Sequence, residues 1–478
     1  MRTEVCDVAV IGSGAGGSVV AYHAARRGLR TLVLERGPYV RPEQMSTRET
    51  EMIPWLYKDG GLQMSTSMDM FIMQGVCVGG STVLSNMVLL RAPDDVFATW
   101  RSLGAGIRDA DMHDAYAEVE QALNAGPPPP ETISRTSHAF MRGATALGLD
   151  ARWMTKSLGA CRGCGNCNIG CTFGTKRDAS TTYIRWAEEH GARVLADTDV
   201  TRIAHRRGHV DVLECRTGRR REPLRVVARQ VVLAAGAIGS SALLLRSAIR
   251  KNVGTRVSFN AGSMMIAEFP EILDSWDADQ MSLYLKGDGY CIEATHNPIL
   301  STALTTPGWL REHGELMRRH RHLAYAGALV ATDPVGRVVQ SPFWGHEETR
   351  YRPTDRDLET LKRGLRTIAE VFFAAGARRI VLPTHRQRSI ESPADLDVIA
   401  TSFRKPSEIS FGTAHPHGGN PMSDDPGLGA VRSDFGVHGF DNLFVVDASV
   451  MPTCTGVNPI DTIMALATLA ARGVVARA

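Results

Sequence analysis

The chain opens on Val5-Cys6-Asp7-Val8-Ala9-Val10-Ile11, the nearly unbroken apolar run expected of a strand buried on both faces of a parallel sheet. Gly12-Ser13-Gly14-Ala15-Gly16-Gly17 follows, and then residues 18–27, rich in Ala and Val and stopped by Gly28, predict a helix with a glycine just past its end. Residues 31–35 give a second strand, which completes a βαβ unit. The buried-strand pattern returns at 225–233, before the small-residue stretch 234–240, and again at 442–447, ahead of a helix from about 461 to 475. Residues 109–123 read as a helix closed off by Gly126 and the prolines at 127–130, a linker. Residues 259–402 lack glycine signatures of this kind. They mix short alternating segments, such as 282–290, with a helix over 355–375.

A chain of 478 residues exceeds what one hydrophobic core supports. The expected division is a nucleotide-binding part over 1–258, with a cysteine-rich insertion at 155–180, a substrate domain over 259–402, and a return to the first domain over 403–478. A net charge of +3 with scattered arginines argues against nucleic acid as a partner. No stretch has the apolar length of a membrane span. The core strand begins at Val5, leaving no room for a signal peptide ahead of it, so the expected location is the cytoplasm.

In the first glycine motif, Gly12 permits the tight turn, Gly14 lets backbone approach a pyrophosphate, and Gly17 allows helix to pack on strand. The helix amino terminus then faces the phosphate charge. Glu35, 23 residues after Gly12, stands where an acid would hold a ribose hydroxyl. These features predict dinucleotide binding without separating FAD from NAD.

Three further segments resemble the glucose-methanol-choline oxidoreductase family, at matching places over nearly the whole chain. The first, Gly75-Val76-Cys77-Val78-Gly79-Gly80-Ser81-Thr82-Val83-Leu84-Ser85-Asn86, is similar to the family's glycine-rich flavin segment. The second is His415-Pro416-His417-Gly418-Gly419-Asn420. The third is Val445-Val446-Asp447-Ala448-Ser449, followed by Asn458-Pro459. The resemblance implies an α/β fold, a Rossmann-like FAD-binding domain with an interleaved α+β substrate-binding domain. It places Gly79, Gly80, Ser81, Asn86, Asp447, Ala448 and Asn458 at the flavin cofactor. It makes His415 and Asn458 the catalytic pair, 43 residues apart, with His417 as the local competitor.

An alcohol dehydrogenase of this type needs a base for the hydroxyl proton, and a neutral imidazole suits that task. The expected substrate is a small-molecule alcohol, such as a sugar, aminosugar or other polyol. An oxygen-using oxidase and a hydroxynitrile-lyase-like enzyme with non-redox FAD are the alternatives. Asp461 stands where it would cap the final helix, but its charge would oppose an anionic flavin, so it receives no catalytic role. Glu268, Asp274 and Asp277 could recognise amines, although clustered acids more often form a solvated face.

Nine cysteines without an export signal argue against a disulfide framework, and Cys161, Cys164, Cys167 and Cys171 fall within eleven residues. Their spacing is ferredoxin-like, with Thr172 in place of the usual proline and no second run to complete a two-cluster set. The segment also resembles those of iron-sulfur FAD sugar dehydrogenases and of long-chain alcohol oxidases. The former resemblance implies an iron-sulfur cluster passing electrons to a protein acceptor or a quinone. Structural zinc and packed or redox-active thiols remain open beside it.

Overall fold

The computed structural model describes residues 2–341 and 347–478. Two sheets organise them, each with its own hydrophobic core. The first sheet has seven strands. Arg2–Ile11 lies at its centre, parallel to Thr31–Leu34 on one side and to Glu222–Leu233 on the other. Arg193–Leu195 extends the parallel array beyond Thr31–Leu34, and Leu443–Val445 joins Glu222–Leu233 in parallel. The last six residues of Arg2–Ile11 are all buried, as the unbroken apolar run requires.

Glu222–Leu233 shows how the neighbours of a strand write its sequence. Its first half pairs antiparallel with His209–Thr217 and alternates buried Leu224 and Val226 with exposed Arg225 and Val227. Its last four residues, among parallel partners, are all buried. The helices Ala15–Arg26 and Ile460–Arg477 pack on each other as part of this core.

The second sheet has nine strands around Thr255–Glu268. From Asn260 to Glu268 that strand pairs with Leu323–Ala331, which continues through Tyr290–Thr295 and Met281–Lys286 to Ala151–Trp153. Its opposite edge is shared, with Arg379–Val381 at one end and Gly412–Gly419 at the other. The helices Asp355–Ala374 and Arg135–Ala146 pack on this sheet. They meet so closely that a Cβ at Gly143 would lie 2.0 Å from the Val371 carbonyl oxygen.

The expected Rossmann-like domain with an interleaved α+β domain is therefore the observed architecture. The interleaving runs finer than the boundary at 402/403. Gly412–Gly419, within the stretch expected to return to the first domain, is a strand of the second sheet, and Ala151–Trp153 joins that sheet from the other direction. No helix among the described residues is long and apolar enough to cross a membrane.

Candidate active site

A cavity of about 730 Å³ lies where the two sheets meet, lined by Gly12, Gly14, Glu35, Gly80, Ser81 and Asp447 from one side and by Glu293, Gly327, Thr413 and His415 from the other. Its first wall is made of backbone. Gly12 holds φ +96°, and a Cβ there would lie 2.3 Å from the Ala234 carbonyl oxygen. Gly17 is packed as tightly, 2.1 Å from Gly12 O, and Gly16, which the spacing argument passed over, would meet Val446 O at 1.9 Å. Gly14 differs. A Cβ there would find nothing nearer than Gly80 Cα at 3.9 Å, and Gly14 caps Ala15–Arg26 without a side-chain bond, so the first amide hydrogens of that helix are available to phosphate oxygens.

Ser13 ties this wall together. Its hydroxyl donates to Glu35 Oε2 at 2.7 Å and accepts from the Gly79 amide at 3.0 Å, while the Ser13 and Gly37 amides also donate to the Glu35 carboxylate. Burial raises the pKa of Glu35 and these hydrogen bonds act against the rise. Gly79, with φ +97°, and Gly80 bring the second glycine segment against the first, where a Cβ on Gly80 would come within 2.9 Å of Gly14 Cα. The Ser81 hydroxyl accepts from the Gly75 amide at 3.0 Å. The Asp447 carboxylate accepts from the Gly236 amide at 2.9 Å and the Ser449 amide at 2.8 Å, fixing the turn that presents Ala448 to the cavity.

The second wall is made of side chains. Gly412–Gly419 shifts register against Thr255–Glu268 between Thr413 and His415 and again between His417 and Gly419. These irregularities accommodate Pro416 and re-aim the side chains between them. Gly418 and Gly419 hold φ +73° and +112°, a region closed to most other residues. The two histidines on this strand fare differently. His417 is fully buried with both ring nitrogens engaged, Nδ1 with His415 O at 2.8 Å and Nε2 with Thr455 Oγ1 at 3.1 Å. His415 lines the cavity with Nδ1 unpartnered, and its Nε2 lies 3.5 Å from Asn458 Nδ2. Burial pushes the pKa of His415 down to about 4, so the ring is neutral at neutral pH.

Asn458 stands just ahead of the final helix with Oδ1 buried and unpartnered. Asn86 is similar: Nδ2 donates to Asn168 Oδ1 at 3.3 Å and Oδ1 has no partner. Asp461 does not line the cavity. It is buried toward Glu120 and Arg91, and burial, followed by the nearby Glu120 charge, raises its pKa well above the usual carboxylate range, which favours its neutral form. Sequence reasoning missed Glu293, a buried cavity carboxyl with Oε1 unpartnered and Asn458 as a hydrogen-bonding neighbour. Burial pushes its pKa up to about 7.

FAD fits the first wall: a hydrogen-bonded buried acid at the end of the second strand, an open glycine under a helix amino terminus, and a second glycine segment alongside. The cysteine segment does not fit an iron-sulfur cluster. Among the described residues no group of three or more His, Cys, Asp or Glu side chains could hold a metal ion. Without a metal, burial pushes the Cys167 thiol up to about 12. Burial also raises Cys161, while at Cys171 the amides of Lys176 and Thr175 and the Thr175 hydroxyl outweigh burial and lower the pKa. The segment is a brace. Buried Lys176 donates to the carbonyls of Val83, Ser85 and Cys167, and buried Lys156 donates to Asp279 at 2.6 Å and to Met281 O at 2.8 Å. It reaches the cavity through Asn168 and Ile169, with no thiol on the wall.

Comparison with known proteins agrees with this geometry. Two models of the GMC oxidoreductase family match residues 54–260 and 332–467, and an NAD(P)-binding Rossmann-like domain matches residues 10–50. An uncharacterised GMC-type oxidoreductase of Mycobacterium tuberculosis is 30% identical over 486 residues, spanning 98% of this chain and 76% of its own. A long-chain-alcohol oxidase of Arabidopsis thaliana is 25% identical, over 97% of this chain and 67% of its own. The crystal structure of pyridoxine 4-oxidase from Mesorbium loti superposes with a TM-score of 0.75 at 20% identity, covering 98% of each chain.

Proposed function

The chain belongs to the GMC oxidoreductase family and is an FAD-dependent oxidoreductase, and from that premise we propose that it oxidises the CH–OH group of a small alcohol to a carbonyl, with His415 taking the hydroxyl proton. The observation that carries this reading is the pairing of His415 and Asn458 on the cavity wall, 3.5 Å apart, with His415 Nδ1 and Asn458 Oδ1 both unsatisfied. That separation is long for a hydrogen bond, so a substrate oxygen can replace it, giving its proton to the imidazole while the Asn458 amide holds the oxygen. Such positioning is worth several kcal/mol of barrier. FAD, when bound, supplies the acceptor for the hydride that leaves the carbinol carbon.

His417 serves the base indirectly. Its ring nitrogen holds the His415 carbonyl and keeps the bulged strand in shape. Cys161, Cys164, Cys167 and Cys171 do not come together as a ligand set for a cluster. The test is an anaerobic titration of the FAD-loaded protein with a panel of primary and secondary alcohols, sugars and aminosugars. Bleaching of the flavin by one class, lost in His415→Ala with FAD retained, is the expected result. A flavin that dithionite reduces and no alcohol bleaches would overturn the reading in favour of a non-redox role.

A further inference from the structure

The acids that line the cavity fall into two groups. Glu35 and Asp447 are held by amides and hydroxyls, Glu347 pairs with Lys58 at 2.5 Å, and Asp199 pairs with Arg221 at 3.1 Å. Glu293 has no ion pair, and the Asn458 side chain is its one hydrogen-bonding neighbour among the described residues. It is 5% exposed, Oε1 has no partner, and among the described residues no lysine, arginine or histidine forms an ion pair with it. Its cross-strand neighbours are Tyr284 on one side and Gly327 on the other. The titratable group that feels its charge, the buried Cys291 thiol, and the Tyr284 phenol opposite it on the neighbouring strand bring no positive charge.

A buried carboxyl without a cation is costly, and such a group in a ligand cavity is best satisfied by a ligand that supplies the missing charge. The space for one is present. Gly327 puts no side chain beside Glu293, and a Cβ there would meet only Met264 Cγ at 3.6 Å and Ser263 O at 3.9 Å. Met264, Met281 and Leu329 line the same part of the cavity and suit methylene groups. Through Asn458, Glu293 lies next to the proposed proton acceptor, so a group held there belongs to the molecule being oxidised.

We propose that Glu293 anchors a protonated amino group of the substrate, so that the preferred alcohols carry an amine a few carbons from the carbinol. This rests on reading the cavity as an alcohol site, and it assigns that site a substrate class. The acids near the start of the second sheet that looked suited to amines do other work: Glu268 pairs with Arg319 and Arg379, Asp274 pairs with Arg321, and neither lines the cavity. The carboxyl of Glu293, which burial holds at about 7, shifts toward its ionised form when an ammonium group arrives.

The test uses ligands that cannot be oxidised. The FAD-loaded protein is titrated anaerobically at pH 8 with n-butylammonium and with methyl propyl ether of similar size, reading perturbation of the flavin absorbance. The wild type is expected to bind the ammonium about tenfold or more tightly, the scale of a charge-assisted hydrogen bond. In Glu293→Gln the preference disappears. Glu293→Asp, which keeps the charge and retracts it by one methylene, gives an intermediate preference and serves as the second variant should the glutamine form fail to hold FAD. Equal binding of the two ligands by the wild type, or a preference that survives in Glu293→Gln, would overturn the proposal. An ammonium preference that depends on Glu293 in a protein whose flavin no alcohol bleaches would leave this site standing and remove the alcohol reading alone.

Discussion

The two walls of the cavity are built from different materials. The nucleotide wall is backbone: glycines whose missing side chains let strands, turns and a helix end approach one another, with Glu35 and Asp447 engaged by neighbouring amides and hydroxyls. The opposite wall is side chain, and polar atoms of His415, Asn458 and Glu293 are left without partners there. A wall with nearly all its bonds made has a fixed shape and offers mainly amide hydrogens and a helix end to its ligand. A wall with bonds unmade waits for a ligand to complete them, and that is where specificity and proton transfer belong.

The largest expected effect sharpens this contrast on the side-chain wall. His415→Ala should lower kcat/KM for alcohols about 10²- to 10⁴-fold with the FAD spectrum intact, measured by stopped-flow flavin reduction. In the wild type, burial favours the neutral ring, so with an alcohol that carries no amine for Glu293 to hold, the base stays active as pH falls below 6.5 and the acid limb of kcat/KM belongs at about 4. A limb at 6.5 or above would mean that the ring is not held neutral by its surroundings.

Next comes the backbone wall. Gly12→Ala forces a Cβ to within 2.3 Å of Ala234 O at φ +96° and should cost roughly 2–4 kcal/mol, read by urea unfolding of the FAD-free protein. Gly14→Ala has 3.9 Å of clearance, so its FAD-free stability should change by less than about 1 kcal/mol, whereas FAD affinity should weaken about tenfold by dialysis equilibrium. If the two alanines destabilise the FAD-free protein equally, the separation of structural from ligand-facing glycine is broken. The smallest effect is at the brace. Cys161→Ser should change stability by no more than about 0.5–1 kcal/mol and leave the flavin reduction rate within a factor of about two.

The same contrast explains what the sequence could reveal. Backbone walls are written locally: a continuous apolar run, glycines at fixed offsets and an acid at the end of the next strand lie within 35 residues of the start and occupy one region of space. Ser13 sits inside that motif, yet no spacing rule marks it, because its role depends on Gly79, which is 66 residues away. Side-chain walls are assembled from afar. Tyr290–Thr295 is buried almost throughout, so it lacks the alternation that would single out a cavity-facing residue, and Glu293 looked like any strand acid. The density of cysteines at 161–171 suggested a metal, but the lysines at its two ends, Lys156 and Lys176, reveal a brace once their carbonyl and carboxylate partners are known. The glycines and proline around His415 carry no strand pattern of their own, and the pairing, with its register shifts, that makes them a strand depends on the partner strand, Thr255–Glu268.

His415 belongs to a strand of one core and Asn458 to the threshold of a helix packed in the other, and 3.5 Å separates them. The pair is therefore a gauge of how the two bodies are seated. A substitution that lets one core slip against the other by a fraction of that distance would silence the enzyme while each core kept its fold and the nucleotide wall kept its flavin. Loss of turnover on heating should then precede loss of colour, and the catalytic step becomes the first casualty of wear in a molecule that still looks intact.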